Sequence, residues 1–156
     1  MAVIGKGSAH GACSLLHAAA LGYGANIALD LPITVRLLDR PSKRDVKDDD
    51  GLLQRLLETW VEAKHPLPEG YEIDDLHWGV KSEIPKKQGL KSSSALCVAA
   101  LRALCNATET SLEPHEMVRL TAEVQLAAGV SITGSIDDAW ALSLIHISEP
   151  TRPREI

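Results

Sequence analysis

The chain has 156 residues, enough for one domain with a hydrophobic core, and its 45% hydrophobic and 24% charged residues are typical of a globular protein. A net charge of −5 gives no general reason to expect nucleic-acid binding, and no segment is long and apolar enough to cross a membrane. The three cysteines, an odd number without metal-ligand spacing, indicate a reducing compartment, so we expect a cytoplasmic protein.

The N-terminal third predicts a helix followed by extended chain. Small apolar residues from Ala12 to Leu21 suit a helix, which Gly22 and Gly24 would end. A short apolar run, Ala25 to Asp30, precedes Pro32. Beyond it, residues alternate in the pattern of a half-buried strand. The inward set would be Ile33, Val35 and Leu37, and the other set Thr34, Arg36 and Leu38.

The middle of the chain predicts a helix and a second strand, separated by loops. Leu52 to Ala63 has helical spacing that places four apolar side chains on one face. These are Leu53, Leu56, Leu57 and Trp60. Further along, Trp78, Val80, Ser82 and Ile84 alternate with His77, Gly79, Lys81 and Glu83. This alternation predicts a strand that ends where a basic, serine-rich stretch begins.

Two helices are predicted after that stretch. The first, "ALCVAALRALCNA", is apolar nearly all round and is therefore expected to be buried. The second would be capped by Ser111, would hold Pro114 in its first turn and would end at Gly129. Its apolar stripe is Met117, Leu120, Val124 and Ala128. The mixture of strands and helices indicates an α/β or α+β class.

The stretch "IPKKQGLKSSSAL", from Ile84 to Leu96, lies between a predicted strand and a buried helix. A helix start offers unpaired N–H groups and a positive dipole end, which favour anions. Gly89 permits close approach of a ligand to the backbone, and the serine hydroxyls and lysines suit phosphate. It is neither a Walker A loop nor a nucleophile elbow. On local physics alone, a phosphate site and a serine N-cap beside solvated lysines stay open as alternatives.

Three stretches resemble one known family. Pro85 to Ala95 is similar to the phosphate-binding loop of the GHMP kinases, Pro-x-x-x-Gly-Leu-x-Ser-Ser-x-Ala. Lys91 and Ser94 resemble the archaeal-type shikimate kinase branch of that superfamily. Gly5 to Leu31, with its Ala-His-Gly-Ala step, resembles the N-terminus of this branch. "ITGSIDDA", Ile132 to Ala139, resembles its Thr-Gly-x-x-Asp-Asp-Ala segment, and the order and spacing of all three agree.

The resemblance implies an α+β fold, the N-terminal half of a two-domain GHMP-kinase-like structure with a mixed sheet and packed helices, here truncated. It also implies that the chain binds ATP and Mg²⁺ and acts on a small-molecule substrate, shikimate. The alternatives are another GHMP kinase, such as homoserine or mevalonate kinase, and an inactive truncated fragment. The residues implied in ATP binding are Pro85, Lys86, Lys87, Gln88, Gly89, Leu90, Lys91, Ser92, Ser93, Ser94 and Ala95.

The family pattern also implies roles for acidic residues. Asp137 matches the candidate catalytic base, whereas the neighbouring Asp138 could cap the next helix. Ser93 and Glu123 are the candidate Mg²⁺ ligands, with Glu116 as the alternative helix carboxylate. A solvated surface glutamate is the other interpretation of either one. Ordinary helix capping is likewise the alternative for the aspartate pair.

Two further expectations concern the ends of the chain. His10, beside a glycine, is a candidate for the substrate pocket, and a structural histidine is the alternative. The resemblance covers residues 1–141, which we expect to form an incomplete GHMP kinase N-terminal domain that binds ATP. Residues 142–156, "SLIHISEPTRPREI" with the preceding leucine, depart from the family and resemble translated adapter sequence. We expect this segment to be a disordered, non-native tail.

Overall fold

The computed structural model describes residues 3–16, 25–41, 51–83 and 92–128; for residues 12–16, 25–29, 92 and 93 it describes the backbone alone. Three strands and three α-helices make up this part of the chain. In order they are β1 (Val3–Leu16), β2 (Ala25–Leu38), α1 (Leu52–Glu62), β3 (His77–Ser82), α2 (Ser92–Thr108) and α3 (Pro114–Ala127), with a short 3₁₀ turn at Ile73–Asp75 before β3.

The strands form an antiparallel sheet in the order β1-β2-β3. Its register sets residues opposite one another in rows, such as Gly7, Val35 and Val80. Side chains alternate between the two faces of a sheet. One face is accordingly apolar, with Ile33, Val35, Leu37 and Trp78 buried, whereas the other carries Lys6, Arg36 and Lys81, which are exposed.

Helix α2 lies directly against β1 because two glycines leave room for it. A Cβ atom at Gly5 would collide with the carbonyl oxygen of Ala103, and one at Gly7 with the backbone of Ala99 and Ala103. A later residue of β1 thus lies against an earlier residue of α2, so the two elements run in opposite directions in close contact. Two strand residues correspond to about one helical turn, and continuing at this rate places the first turn of α2 beside Gly11.

The core lies between this sheet and a layer of three helices. α2 contacts β1 and β2 on one side and α1 and α3 on the other. Its residues from Ala95 to Leu104 are all buried except Arg102, which confirms the predicted buried helix. α1 adds its predicted apolar face, with Leu53, Leu56, Leu57 and Trp60 buried. The α+β class is confirmed by this arrangement.

The helix predicted from Ala12 to Leu21 was wrong for residues 12–16, which belong to strand β1, whereas residues 17–24 lie outside the described residues. The strand predicted from Ile33 to Leu38 is confirmed. It is longer than predicted, because β2 runs continuously from Ala25 to Leu38 and passes through Pro32. Between the pairs His10–Pro32 and Ala12–Ala28 the register shifts, and such an irregularity tolerates a proline that lacks an N–H.

The helix boundaries agree more closely with prediction. α1 ends at Glu62 with Ala63 as its C-cap, and Pro114 occupies the first turn of α3 as expected. The predicted cap Ser111 was wrong: Glu113 is the N-cap, and its side chain makes no capping hydrogen bond. Ile84 and Gly129, the predicted ends of β3 and α3, lie outside the described residues.

Two side chains of α2 bind the outer edge of β1. The Lys6 N–H donates to Asn106 Oδ1 at 3.1 Å, and Arg102 Nη1 donates to the Ser8 carbonyl oxygen at 2.7 Å. Burial lowers the pKa of Arg102 to about 10, opposed by nearby Cys105. A sheet edge with free backbone groups invites pairing with another chain. Asn106 and Arg102 therefore protect this edge as well as fixing α2 on the sheet.

Candidate functional site

The start of α2 is the described part of the predicted phosphate loop. The helix begins at Ser92, immediately after residues 84–91, which lie outside the described residues together with the ATP-binding candidates from Pro85 to Lys91. The first N–H groups of an α-helix have no intrahelical partner and sit at its positive dipole end. The backbone N–H groups of Ser92, Ser93 and Ser94 are therefore the described part of the predicted phosphate site, whose role stays a prediction.

Ser94 and Ala95 are buried, with 2% and 0% of their surface exposed. The Ser94 hydroxyl oxygen accepts a hydrogen bond of 2.7 Å from Nε2 of Gln125, which is 5% exposed and lies on α3. α2 and α3 are joined by a short connection and lie antiparallel, so the end of α3 meets the start of α2. This bond fastens the two helices together at the first turn of α2.

Gln125 is the site residue that sequence reasoning missed. It lies next to Val124 of the apolar stripe and one turn after Thr121, whose buried hydroxyl donates to the Met117 carbonyl oxygen at 2.8 Å. A glutamine at the border of an apolar stripe is usually read as a surface residue. No local signal marks its burial, because its partner is 31 positions away in the sequence.

The two candidate helix glutamates lie away from this turn. Glu123 is exposed, and two residues before Gln125 it is rotated by about 200° around α3. Glu116 lies roughly 14 Å along the helix from Gln125. There its carboxylate contacts His65 Nε2 at 3.3 Å and Arg119 Nη2 at 3.7 Å. The assignment of a Mg²⁺ ligand on α3 stays a prediction.

A Mg²⁺ site near the first turn of α2 would need oxygen ligands, above all carboxylates. Residues 3–16, 25–41, 51–83 and 92–128 contain no group of three or more His, Cys, Asp or Glu side chains able to hold a metal ion. The α3 side chain that reaches this turn is an amide, not the carboxylate that Mg²⁺ prefers. The described residues therefore fit the phosphates of a nucleotide, but they do not by themselves make a Mg²⁺ site.

Of the remaining predicted site residues, the structure describes His10 but not the aspartate pair. His10 is half-buried in β1 opposite Pro32, and alternation with the buried Ala9 directs its side chain to the sheet face opposite α2. Its role in the substrate pocket stays a prediction. Asp137 and Asp138 lie outside the described residues. Within the described part of the chain, no helix has the length and apolarity that a membrane crossing requires.

Comparison with known protein families identifies the fold. Residues 52–144, more than half of the chain, match the GHMP kinases N terminal domain. This chain belongs to the GHMP kinase family. The match includes α1, β3, α2 and α3, and it spans the loop whose motif suggested the family.

The similar curated proteins include archaeal shikimate kinases. The chain is 37% identical over 142 residues to the shikimate kinase of Methanocella arvoryzae, which covers 88% of this chain and 47% of that protein. It is 31% identical over 142 residues to the shikimate kinase of Pyrococcus abyssi, covering 88% and 51%. The chain thus spans about half the length of these relatives. The resemblance to the archaeal-type branch is confirmed.

Solved structures of other GHMP kinases share the fold at lower identity. The mevalonate kinase of Methanococcus jannaschii superposes with a TM-score of 0.71 at 16% identity, covering 88% of this chain and 50% of that one. A mevalonate kinase from Staphylococcus aureus gives a TM-score of 0.65 at 23% identity, covering 89% and 50%. These similarities confirm that the chain has the fold of an N-terminal GHMP kinase half.

Proposed function

We propose that this chain is the ATP-binding half of a kinase that transfers the γ-phosphoryl group of ATP to a hydroxyl of shikimate, giving shikimate 3-phosphate. The observation that carries the proposal is the start of α2 at Ser92, within the family's phosphate-loop motif, in a chain whose curated relatives include archaeal shikimate kinases. The two mevalonate kinases described above share the fold at 16% and 23% identity, which does not bear on substrate choice.

The first step is binding of the triphosphate at the loop Pro85–Ala95. Its backbone N–H groups and the α2 dipole would offset the phosphate charge, while the lysines of the loop add positive charge. Mg²⁺ would supply further neutralisation of the β- and γ-phosphates. Ser93 and Glu123 are proposed for it, although Glu123 is exposed on α3. Positioning and charge stabilisation account for most of the rate of such a transfer.

The second step is transfer of the phosphoryl group. The shikimate hydroxyl oxygen forms a bond to the γ-phosphorus, and the bond from that phosphorus to the bridging oxygen of ADP breaks. The hydroxyl proton passes to the carboxylate of Asp137, which acts as general base. ADP and shikimate 3-phosphate then leave. We propose His10 as part of the shikimate pocket, and Asp138 as a residue that does not accept the proton.

We further propose that residues 1–141 form the first domain of a longer protein and that residues 142–156 are not native to it. The first part is supported by the relatives, which are about twice the span that this chain covers, and the second rests on the sequence of the tail alone. The product of the uninterrupted gene is called the full-length protein below. We propose that it works in the cytoplasm on a small molecule, without nucleic acid or membrane.

The proposal is tested by following ADP release from the full-length protein with shikimate, homoserine or mevalonate as acceptor. We expect turnover with shikimate at least about a hundredfold above that with either alternative, because a site built for one acceptor leaves its polar groups unpaired with another. The 156-residue chain is assayed in parallel, because the third possibility is that it is an inactive fragment, which would release no ADP. Equal or greater turnover with mevalonate or homoserine would refute shikimate as the substrate.

A further inference from the structure

The Ser94–Gln125 hydrogen bond is unusual in its surroundings. Most buried side chains of α2 and α3 are apolar, among them Val98, Leu101, Leu120 and Val124. Buried polar groups need hydrogen-bond partners, and the bond from Gln125 to Ser94 joins one helix to the other. Because a hydrogen bond is directional, this bond favours one relative position of the two helices, whereas apolar contacts alone tolerate sliding and rotation.

The pair is also located at the functionally sensitive end of α2. Ser94 lies in the first turn, two residues after the helix begins, and Gln125 lies in the last turn of α3. The other polar contacts of α2 described above, from Arg102 and Asn106, hold its second half against β1. The bond from Gln125 is thus the one of these three that acts on the turn that would face the nucleotide.

From this arrangement we propose that Gln125 is a positioning residue for the nucleotide site. It holds the first turn of α2 so that its N–H groups point at the polyphosphate, and it does so without adding charge. This inference rests on the proposed function. Because an amide is neutral, Gln125 can hold the turn by a hydrogen bond while leaving the charge of the site unchanged.

The test compares two variants of α3 in the full-length protein. Gln125→Met removes the bond to α2 at similar side-chain volume. Thr121→Val is the matched control, because it removes a buried hydrogen bond one turn earlier whose acceptor is in α3 itself. The dissociation constant of MgATP is measured by equilibrium dialysis, together with the melting temperature. We expect Gln125→Met to weaken MgATP binding roughly fivefold to tenfold, the effect of one lost hydrogen bond, while Thr121→Val leaves it within about twofold.

A double-mutant cycle separates positioning from stability. Because Ser94 belongs to the proposed ATP loop itself, Ser94→Ala is measured alone as the reference for the double variant. If Gln125 acts through its bond to Ser94, Gln125→Met should weaken MgATP binding roughly fivefold to tenfold in the unmodified protein but less than about twofold in the Ser94→Ala background. Gln125→Asn, which keeps an amide on a shorter side chain, takes the place of Gln125→Met in the cycle if that variant does not fold.

Each outcome decides the matter. If MgATP affinity is unchanged in Gln125→Met, or falls equally in Thr121→Val, Gln125 has no positioning role, although the proposed function stands. If Gln125→Met weakens binding equally with and without Ser94→Ala, the effect does not pass through the bond to Ser94 and is one of stability alone. If the unmodified full-length protein binds no MgATP, the proposed function fails, and this inference fails with it.

Discussion

Replacing Gly7 with alanine should destabilise the fold through the contact between β1 and α2. The added Cβ would overlap the Ala99 carbonyl oxygen and the Ala103 nitrogen, which are backbone atoms of a helix and cannot rotate away. Overfilling a packed core costs about 1–3 kcal/mol, and we expect the upper end here. Against a total stability of about 5–15 kcal/mol, a loss of about 3 kcal/mol is large.

Gly79→Ala is the matched control for this prediction. Gly79 lies in β3, and the nearest atom to an added Cβ is Cδ1 of Leu38 at 3.3 Å, the end of a side chain that can move. Its effect should stay within about 1 kcal/mol, with either sign, because alanine also restricts the unfolded chain. Urea unfolding of both variants in the full-length protein, compared at equal slope, measures the difference. Equal midpoints for the two variants would refute the close approach of α2 to β1.

Three further predictions concern the proposed site. Ser93→Ala should weaken MgATP binding in the full-length protein by about tenfold, as loss of a hydrogen bond to a charged group does; unchanged affinity and turnover would count against the loop. Asp137→Asn should keep ATP and shikimate binding but lower kcat about a hundredfold or more. If Asp138→Asn is inactive and Asp137→Asn is active, the general base is Asp138 and the assignment is wrong by one position. The 156-residue chain should not phosphorylate shikimate at an ordinary rate, and removal of residues 142–156 should not alter its unfolding.

Helices were predictable from this sequence because their signals are local. The spacing of Leu53, Leu56 and Trp60 defines the buried face of α1, and Pro114 marks the first turn of α3. The residues Ala95 to Ala107 are apolar nearly all round, and α2 is indeed enclosed between the sheet and two helices. In each case the feature that shapes the element lies within the element.

Strand β1 was not predictable in the same way. The run from Ala12 favours a helix on local grounds, yet residues 12–16 continue the strand that pairs with β2, and the need for glycine at positions 5 and 7 appears only once α2 packs against them. The continuity of β2 through Pro32 likewise depends on a register shift against β1. Tertiary packing overrides local propensity at both places.

In the candidate site, too, the features with a local sequence signal could be predicted and those that depend on tertiary contacts could not. The start of α2 at the serines follows from signals that are adjacent in sequence, and it is on this start that the predicted anion site depends. The partnership of Ser94 with Gln125 requires the antiparallel contact of α2 and α3, so no pattern within either segment reveals it. The exposure of Glu123 follows from the same contact, which directs Gln125 inward and Glu123 outward.

The most direct test of the central claim is a crystal structure of the full-length protein with Mg²⁺ and a non-hydrolysable ATP analogue. The quantity to measure is the distance from the β- and γ-phosphate oxygens to the backbone nitrogens of Ser92, Ser93 and Ser94. Our account predicts hydrogen bonds of about 2.7–3.2 Å to this turn, with Gln125 still bonded to Ser94. A nucleotide bound elsewhere, with no phosphate oxygen within hydrogen-bonding distance of the first turn of α2, would contradict it.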